Sequence, residues 1–341
     1  MPLPSITCAR LADMFDIAVV CARCQPPTRA HFAALAAARS LARQVVMLVL
    51  NADDALSPAT PFDNATRSAL LRAGLDASAA IVLLRDRRYA PTRWAAAAQA
   101  AVRKVAGTGT VVALADSTAA TTSVPLPSDW QRATSEVHLA AAEALARDAL
   151  FGALTPDWPR LAAILPPALL SAVQACAQAT SFERIAAEAR FLGDYRKAWL
   201  AAPYPPVFVT VDSVVTWRDQ VLLIKRGQPP GRGQWALPGG FIDIDETIAL
   251  SCLRELREET GVILGEDAIR AQRVFDDPLR SQRGRTITHG FRFVLDELPA
   301  PPLAVGADDA AAAAWVPIAE VRPARLFDDH YFILQSFLDL D

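Results

Sequence analysis

Three glutamates in the second half of the chain have the spacing of a metal-binding helix face. Glu255, Glu258 and Glu259 fall within a sector of about 100° when residues 247–260 are placed on a helix. Like charges at these spacings repel one another, so the arrangement is unfavourable without a compensating cation. Mg²⁺ prefers oxygen ligands and typically keeps waters and substrate phosphates in its shell. The spacing therefore predicts a divalent-cation site, unless the three side chains form a solvated acidic face.

Residues at fixed distances from these glutamates favour the cation site over a solvated face. Gly240 is followed by five residues and then Glu246, and seven further residues separate Glu246 from Arg254. Arg254 is placed to orient a glutamate through a contact outside the metal shell. Glycines and an arginine at such distances are not needed by a merely solvated helix.

The helix that carries the glutamates, expected at about 246–260, has recognisable ends and an apolar face. Asp245 is predicted to cap its amino end, and Gly261 permits the backbone turn that ends it. An adjacent sector is apolar and can face a sheet; it contains Ala249, Cys252, Leu253 and Leu256.

The segments around this helix predict a mixed α+β domain. Two runs rich in β-branched residues, 207–217 and 221–227, flank a turn at Arg218–Asp219 and read as a hairpin-like strand pair. Prolines at 203–206 disfavour helix and mark a joint before these strands. Further strands are predicted at 272–276, 286–295 and 313–318, and a last helix at 328–338.

The first half of the chain predicts a doubly wound α/β domain. Continuously apolar strands that alternate with helices are typical of a parallel sheet covered on both faces. Strands are predicted at 16–22, 44–52, 79–86 and 110–116, and helices at 31–43, 94–105, 137–152 and, for the most part, 168–200. We therefore expect an α/β domain over 12–185, a helical connector over 186–204 and the α+β domain over 205–341.

Composition excludes several classes of protein. The chain has 341 residues, of which 52% are hydrophobic, so global disorder is not expected. A net charge of -3 argues against a nucleic-acid or anionic-membrane surface, and no segment approaches the roughly 18 apolar residues of a spanning helix. The acidic residues Asp13 and Asp16 interrupt the first apolar stretch, so we expect no secretion signal and a cytoplasmic protein.

Residues 240–262 match the whole Nudix box of Nudix hydrolases. The flanking segments resemble the carboxyl-terminal half of the bifunctional nicotinamide-mononucleotide adenylyltransferase/Nudix hydrolase family, a half that is similar to ADP-ribose pyrophosphatases. The resemblance implies a Nudix fold with a mixed sheet between helices. The segments that carry it are AAPYPPVFVTVDSVV (201–215), WALPGGFID (235–243), VFDDPLRSQRGRTITHGF (274–291) and WVPI (315–318).

The resemblance also implies the chemistry. ADP-ribose, or a close dinucleotide, would be hydrolysed at its diphosphate to AMP and ribose 5-phosphate. The three glutamates would hold Mg²⁺, or Mn²⁺, which uses similar oxygen sites, with the carbonyl of Gly240 completing the shell. The bound cation would lower the pKa of the attacking water. Glu258 or Glu259 is the expected base, and Asp308 or Asp309 is a competing candidate.

Substrate contacts are expected from the loops near the box. Arg280, Arg283 and Arg285 would grip phosphates as bidentate donors, unless they form a basic surface loop. Phe241 would contact the adenine or the sheet behind it. Asp308 is also expected to contact the substrate. Related pyrophosphatases often form dimers, so a homodimer is possible.

The first half resembles the same family's adenylyltransferase domain, in which a phosphate-binding turn carries two histidines in an H-x-G-H motif. Here Thr28 stands where the first histidine belongs, and Ala30 replaces the glycine. The lysine and paired serines expected near 114–123 are replaced, and only Arg147 matches within 142–151. The residues that still match, and that would form a vestigial nucleotide site, are Arg23, Gln25, His31, Asp86 and Trp94.

Adenylyl transfer needs cations and hydrogen-bond donors on the triphosphate, and losing several should cost several orders of magnitude in rate. We therefore expect a first half that keeps the fold and has lost the transferase reaction. Two alternatives stay open: a bifunctional enzyme that also makes NAD from nicotinamide mononucleotide and ATP, and a non-catalytic nucleotide sensor.

Overall fold

The computed structural model describes residues 15–75, 79–116, 125–338 and 340, so Asp13 and residues 117–123 of the expected phosphate-site segment lie outside it. The chain forms two compact units. The first unit comprises residues up to Ala52 together with Thr60–Glu183, and the second comprises Asp53–Ala59 together with the residues from Arg184 onward. Within the described ranges, no helix has the length and apolar character that crossing a membrane requires.

The first unit contains a parallel sheet with strand order β3-β2-β1-β4-β5, which confirms the predicted doubly wound fold. Its elements are β1 (Phe15–Ala22), α1 (Arg29–Arg39), β2 (Ala42–Val49), α2 (Asn64–Gly74), β3 (Ala79–Leu83), α3 (Pro91–Ala106), β4 (Val111–Asp116), β5 (Gln131–Ser135), α4 (Leu139–Phe151), α5 (Trp158–Ile164), α6 (Pro167–Cys176) and α7 (Thr180–Ala198). The helix α7 continues into the second unit.

Helices cover both faces of this sheet because the side chains of β1 alternate between two cores. Val20 packs in the core that includes Leu35 of α1, whereas Val19 packs in the core that includes Trp94 of α3. A strand that is apolar on both faces must be covered on both, and this is why β1 reads as a continuous hydrophobic run.

Three elements of the first unit were not predicted: α2, β5 and α5. The strand β5 has the sequence QRATS and lies at the edge of the sheet, with three of its five side chains exposed. Because its residues are mostly polar, the strand has no hydrophobic pattern by which it could be predicted. The long helix expected over 168–200 is interrupted between α6 and α7.

The second unit is a mixed sheet flanked by helices, as the resemblance implied. The strands run in the order β11-β7-β6-β10-β9, with β8 pairing β7; β6 and β10 are parallel, and the other pairs are antiparallel. The elements are β6 (Phe208–Trp217), β7 (Gln220–Arg226), β8 (Trp235–Ala236), α8 (Ile248–Thr260), β9 (Ile269–Phe275), β10 (Thr286–Val294), β11 (Ala310–Pro317) and α9 (His330–Leu338).

The helix α8 packs its apolar face on the sheet, as the sequence predicted. Cys252 and Leu256 are fully buried in a core that also holds Val211 and Val215 of β6. The prediction for the start of the helix was wrong: Thr247, not Asp245, is the cap, because the Thr247 hydroxyl accepts a hydrogen bond from the backbone N–H of Leu250. The other end is confirmed, since Gly261 adopts φ 71°, in the left-handed region.

Candidate active site

Arg254 of α8 binds two of the three glutamates of this helix and also Glu246, which lies in the loop before it. Its Nε donates to Glu246 Oε2 at 2.9 Å, and its Nη1 donates to Glu255 Oε1 at 2.8 Å and to Glu258 Oε2 at 3.1 Å. Its Nη2 also donates to the carbonyl of Phe241 at 3.2 Å. The guanidinium group therefore fixes both the helix face and the loop that enters the helix.

Glu259 lies on the inner side of the same helix, and only 5% of its surface is exposed. Its Oε2 accepts a hydrogen bond from the backbone N–H of Gly239 at 2.8 Å. Burial raises the pKa of Glu259 to about 8; the Gly239 hydrogen bond opposes this rise, and the charge of Glu255 adds to it. Burial also raises the pKa of Glu255, and the charge of Asp308 contributes. Two partly desolvated carboxyl groups thus lie where a cation would stabilise their charged forms.

The turn Gly239–Gly240 comes close to both the sheet and the acidic helix. A Cβ atom at position 239 would lie 2.0 Å from the carbonyl oxygen of Val211, and one at position 240 would lie 2.6 Å from the carboxylate of Glu255. The carbonyl of Gly240 accepts from the backbone N–H of Val211 at 2.9 Å and has a second lone pair. Carboxylates beside a backbone carbonyl are a donor set that fits Mg²⁺ or Mn²⁺.

The glutamate side chains are nevertheless divided between two partners. Arg254 binds Glu255 and Glu258, whereas Glu259 turns to the N–H of Gly239. In the described part of the chain, no three His, Cys, Asp or Glu side chains are gathered as a ready metal cluster. The three predicted metal-binding glutamates therefore lie in one sector of the helix, and their carboxylate groups are hydrogen-bonded to other protein groups.

A cavity lies beside the glycine turn. Charged residues from β6, β7, the β9–β10 loop and the segment before α9 line it. It is lined by Thr210, Val211, Asp212, Arg226, Gly239, Gly240, Arg280, Ser281, Arg283, Phe327, Asp328 and His330.

Arg280, which the resemblance placed on a phosphate, is already paired within the protein. It is 5% exposed, and its Nε and Nη2 donate to the two carboxylate oxygens of Asp329 at 3.0 and 2.9 Å. Its Nη2 also lies 3.7 Å from Asp212 Oδ2. Arg280 thus reaches the cavity wall as half of a buried ion pair.

Two further titratable groups line the cavity. Asp212 accepts from the Thr288 hydroxyl at 2.6 Å, and burial raises the pKa of Asp212 to about 7 although the charge of Arg280 lowers it. His330 Nδ1 accepts from the backbone N–H of Leu237 at 2.9 Å, and burial lowers the pKa of His330 to about 3. His330 is therefore neutral near pH 7 and acts as an acceptor that holds the strand leading to the glycine turn.

Sequence reasoning missed most of these cavity residues. Asp212 carried a signal, because a lone carboxylate stands inside the β-branched run of β6. Asp328, Asp329 and His330 are three consecutive polar residues at the start of the last helix, but such residues are also common at ordinary helix starts. Only the packing of α9 brings it to the glycine turn.

The other arginines of the loop between β9 and β10 differ in their surroundings. The guanidinium of Arg283 lies 5.0 Å from the centre of the Phe241 ring, and Arg283 also lines the cavity. Phe241 is 38% exposed, so its ring remains accessible beside this cation. Arg285 instead donates to the backbone carbonyl of Asp276 on the same loop.

The two acidic candidates of the loop before β11 are exposed. Asp308 has φ 52° and its charge contributes to the raised pKa of Glu255, so it lies near the acidic helix. Asp309 contributes its carbonyl to the N–H of Gly227 at 2.9 Å. The structure therefore brings Asp308 electrostatically close to the glutamates.

In the first unit, His31 of α1, which follows the turn after β1, is engaged at both ring nitrogens. His31 is fully buried, and its Nδ1 accepts from the backbone N–H of Thr28 at 3.0 Å. That acceptor role leaves the proton on Nε2, which donates to Glu143 Oε1 at 3.0 Å. The same carboxylate accepts from the N–H of Cys24 at 2.7 Å. His31 is thus part of a buried network that fixes the turn.

Gln25 and Arg147 also support this turn. The side chain of Gln25 makes reciprocal hydrogen bonds with the backbone of Phe62, both at 2.9 Å. Arg147 donates to the carbonyl of Gln25 at 3.3 Å and to Glu143 at 3.4 Å.

The three other residues of the expected vestigial site are Arg23, Asp86 and Trp94, and each has a partner outside the His31 network. The carbonyl of Arg23 accepts from Arg67 at 2.9 Å, and Asp86 accepts from Asn51 at 3.4 Å. Trp94 is 3% exposed and packs in the core under β1.

Comparison with known proteins decides the family. The NUDIX domain profile matches residues 207–337. The ADP-ribose pyrophosphatase of Methanocaldococcus jannaschii is 34% identical over 130 residues, which are 38% of this chain and 72% of that protein. The chain belongs to the Nudix family. It is a Nudix hydrolase, and Nudix enzymes use divalent metal ions.

The resemblance of this Nudix hydrolase to a solved structure extends over both units. A bifunctional NMN adenylyltransferase/ADP ribose pyrophosphatase from Francisella tularensis, in complex with AMP and a Mn ion, matches with a TM-score of 0.85. It is 27% identical, and the match covers 96% of this chain and 99% of that chain. The ADPR responsive transcriptional repressor NtrR of Acinetobacter baylyi is 29% identical over 153 residues, 44% of this chain and 58% of that protein.

Proposed function

We propose that this Nudix hydrolase cleaves the diphosphate of ADP-ribose, or of a closely related nucleoside diphosphate derivative, to AMP and ribose 5-phosphate with Mg²⁺. The observation that carries the proposal is the close approach of Gly240 to the Glu255 carboxylate, beside a buried Glu259 and a cavity whose lining includes Arg226 and Arg283. The names of two relatives support the substrate: the Methanocaldococcus enzyme is an ADP-ribose pyrophosphatase, and the Francisella structure contains AMP.

The residues of α8 would hold the cation. Glu255, Glu258, Glu259 and the carbonyl of Gly240 supply oxygen ligands, and Mn²⁺ suits the same donors. When bound, the cation neutralises diphosphate charge and lowers the pKa of the attacking water. Arg254 orients Glu255 and Glu258 and fixes the loop through the carbonyl of Phe241.

The chemical step is hydrolysis at one phosphorus. The water oxygen bonds to phosphorus, the bond from that phosphorus to the bridging oxygen breaks, and the water proton passes to a carboxylate. We assign the base to Glu258, because 38% of its side chain is exposed and water can reach it. Glu259, on the inner side of the helix, is the alternative. Asp308 is a third carboxylate near this face.

Arg283 and Phe241 supply the substrate contacts in this proposal. Arg283 lines the cavity and can hold a phosphate by two parallel hydrogen bonds. The exposed ring of Phe241 offers a stacking surface for the adenine base. Arg280 acts through its buried ion pair with Asp329 by shaping the loop that carries Arg283.

The first unit, in our proposal, has lost adenylyl transfer. Both ring nitrogens of His31 are hydrogen-bonded, one to Thr28 and the other to Glu143, so neither is available to bind a triphosphate. The second candidate function, a bifunctional enzyme, is favoured by the match to the Francisella structure over both units. Incubating the full chain with nicotinamide mononucleotide, ATP and Mg²⁺ separates the two: robust NAD formation would establish the bifunctional enzyme.

The hydrolase proposal is tested with a substrate panel and two variants. Purified protein should release AMP from ADP-ribose faster than from NADH, diadenosine polyphosphates or flavin dinucleotide. Glu258→Gln and Glu259→Gln should each lower kcat about 100-fold or more, the scale for removing one electrostatic group from a transition state. Glu266→Gln, on an exposed turn, is the matched control. Calorimetric binding of ADP-ribose without hydrolysis at saturating Mg²⁺ would instead indicate a nucleotide sensor.

A further inference from the structure

A short segment from early in the chain is built into the second unit. Residues 53–59, which follow β2 and contain no helix or strand, belong to this unit although the rest of it begins at Arg184. The carbonyl of Leu56 accepts from Gln234 Nε2 at 3.3 Å. The backbone N–H of Ala59 donates to Gln282 Oε1 at 3.0 Å. The segment thus contacts two glutamines that lie far away in the sequence.

Gln282 lies between two residues of the cavity wall, Ser281 and Arg283. Its Nε2 donates to Asp328 Oδ1, also on the wall, at 3.4 Å. Its carbonyl accepts from Arg196 Nε at 3.1 Å and from Nη2 at 2.8 Å. The side chain and the backbone of this one residue therefore anchor the loop that carries Arg283.

Gln234, the second glutamine, is bonded to another residue of the cavity lining. Its backbone carbonyl accepts from the N–H of Arg226, a cavity residue, at 2.9 Å. Its own N–H donates to the carbonyl of Gly231 at 3.0 Å, and Gly231 N–H donates to the buried Glu188 at 3.0 Å. Gln234 directly precedes β8, the strand that leads to the glycine turn.

We propose that residues 53–59 form a positioning segment for the Nudix site, and that Gln282 is the positioning residue through which the segment holds the Arg283 loop in its substrate-binding conformation. This inference rests on the proposed function. The side chain of Gln282 is suited to this task because its amide accepts from the segment at one atom and donates to Asp328 at the other. The expected consequence is a lower KM rather than a faster chemical step.

The test uses the full chain and two independent measurements. Gln282→Ala removes both side-chain hydrogen bonds and leaves the Arg196 contact to the backbone. We expect faster hydrogen exchange in residues 279–285 of the ligand-free protein. We also expect a KM for ADP-ribose raised about 3- to 10-fold, the usual effect of losing a hydrogen bond, with kcat within about two-fold. Gln272→Ala, which removes an exposed glutamine paired with His289, should change neither quantity.

A second variant approaches the same contact from the segment. Ala59→Pro deletes the donating N–H and leaves Gln282 intact, so it should raise KM in the same direction. The Ala59 variant also keeps the test decisive if Gln282→Ala fails to fold.

Unchanged exchange and unchanged KM in both variants would overturn the positioning role. A fall in kcat with KM unchanged would also overturn it, because the segment would then act on the chemical step. If the unmodified protein releases no AMP from ADP-ribose, the proposed function fails, whereas the exchange comparison still decides whether the segment holds the loop.

Discussion

The guanidinium group of Arg254 lies 2.8 Å from the carboxylate of Glu255, the same carboxylate that leaves no room for a Cβ atom at Gly240. The Glu255 carboxylate, which would bind the divalent metal ion, is thus oriented by the guanidinium group of its neighbour on the same helix. Arg254 makes further contacts with Glu246 and Glu258, so the orientation of Glu255 and Glu258 depends on the planar shape of one side chain.

Replacing this arginine by lysine should therefore impair activity strongly. Arg254→Lys keeps the charge but loses the fork that reaches three carboxylates and a carbonyl at once. We expect activity with ADP-ribose, or the affinity for Mg²⁺, to fall about 10- to 100-fold, as for other groups that orient metal ligands. Steady-state kinetics across a Mg²⁺ titration measures both. Arg270→Lys, at an exposed pair with Glu297, is the control, and an Arg254→Lys enzyme equal to this control would contradict the orienting role.

Alanine at the two glycines should separate stability from catalysis. At position 239 the new Cβ would meet the backbone carbonyl of Val211 at 2.0 Å, which cannot yield without moving β6. Gly239→Ala should lower the free energy of unfolding by about 1–3 kcal/mol, as overpacking does. At position 240 it would meet the flexible carboxylate of Glu255, so Gly240→Ala should lower kcat with little change in Tm. Thermal unfolding and kinetics on both variants check this; equal Tm values would count against the assignment.

The network around His31 predicts an acid-sensitive first unit. Burial alone would raise the pKa of Glu143, but the hydrogen bond from His31, together with the charges of Arg147 and Arg23, lowers it below its ordinary value of 4.5. A carboxyl group whose pKa is lowered by folding stabilises the native state above its unfolded pKa. This stabilisation is lost as pH falls through the folded value.

Glu143→Gln should therefore destabilise the protein by about 2 kcal/mol at neutral pH, the scale of a hydrogen bond to a charged group. The difference from the unmodified protein should shrink as pH falls below 4.5, the ordinary value of this carboxyl group. Urea unfolding across a pH series measures it. A difference that stays constant over the series would show that the charge of Glu143 contributes nothing.

Restoring the missing histidine should not restore adenylyl transfer. Thr28→His supplies the absent side chain of the H-x-G-H motif, but His31 would still be bound to Glu143. The lysine and paired serines expected near 114–123 are also absent from the sequence. We expect NAD formation by Thr28→His to stay at the level of the unmodified protein. Recovery of turnover in a coupled NAD assay would show that the later phosphate contacts are dispensable.

Local patterns in the sequence were sufficient for most of the fold. The apolar runs predicted β1 to β4 and the parallel sheet, and the β-branched runs predicted the β6–β7 hairpin. These predictions succeeded because hydrophobic periodicity reports which faces are buried. The polar edge strand β5 was missed, since its residues bury too little apolar surface to leave a pattern.

The candidate site was predictable only in part. The spacing of the glutamates and of Arg254 placed them on one helix face, and the family resemblance supplied their chemistry. The sequence did not show which hydrogen-bond partner each carboxylate has. Glu259 bonds to Gly239, twenty residues away in the chain, while Glu255 bonds to its neighbour Arg254. Side-chain direction depends on what packs above the helix.

The helix, the donor types and the two fold classes could be predicted before the structure was known, since they follow from residue spacing within a few turns of chain. Only the packing of distant segments showed that Arg280 pairs with Asp329 across 49 residues, and that Ala59 reaches Gln282 across 223. Contacts of this kind depend on how separate elements pack. The residues that make such contacts leave no periodic signal in the sequence.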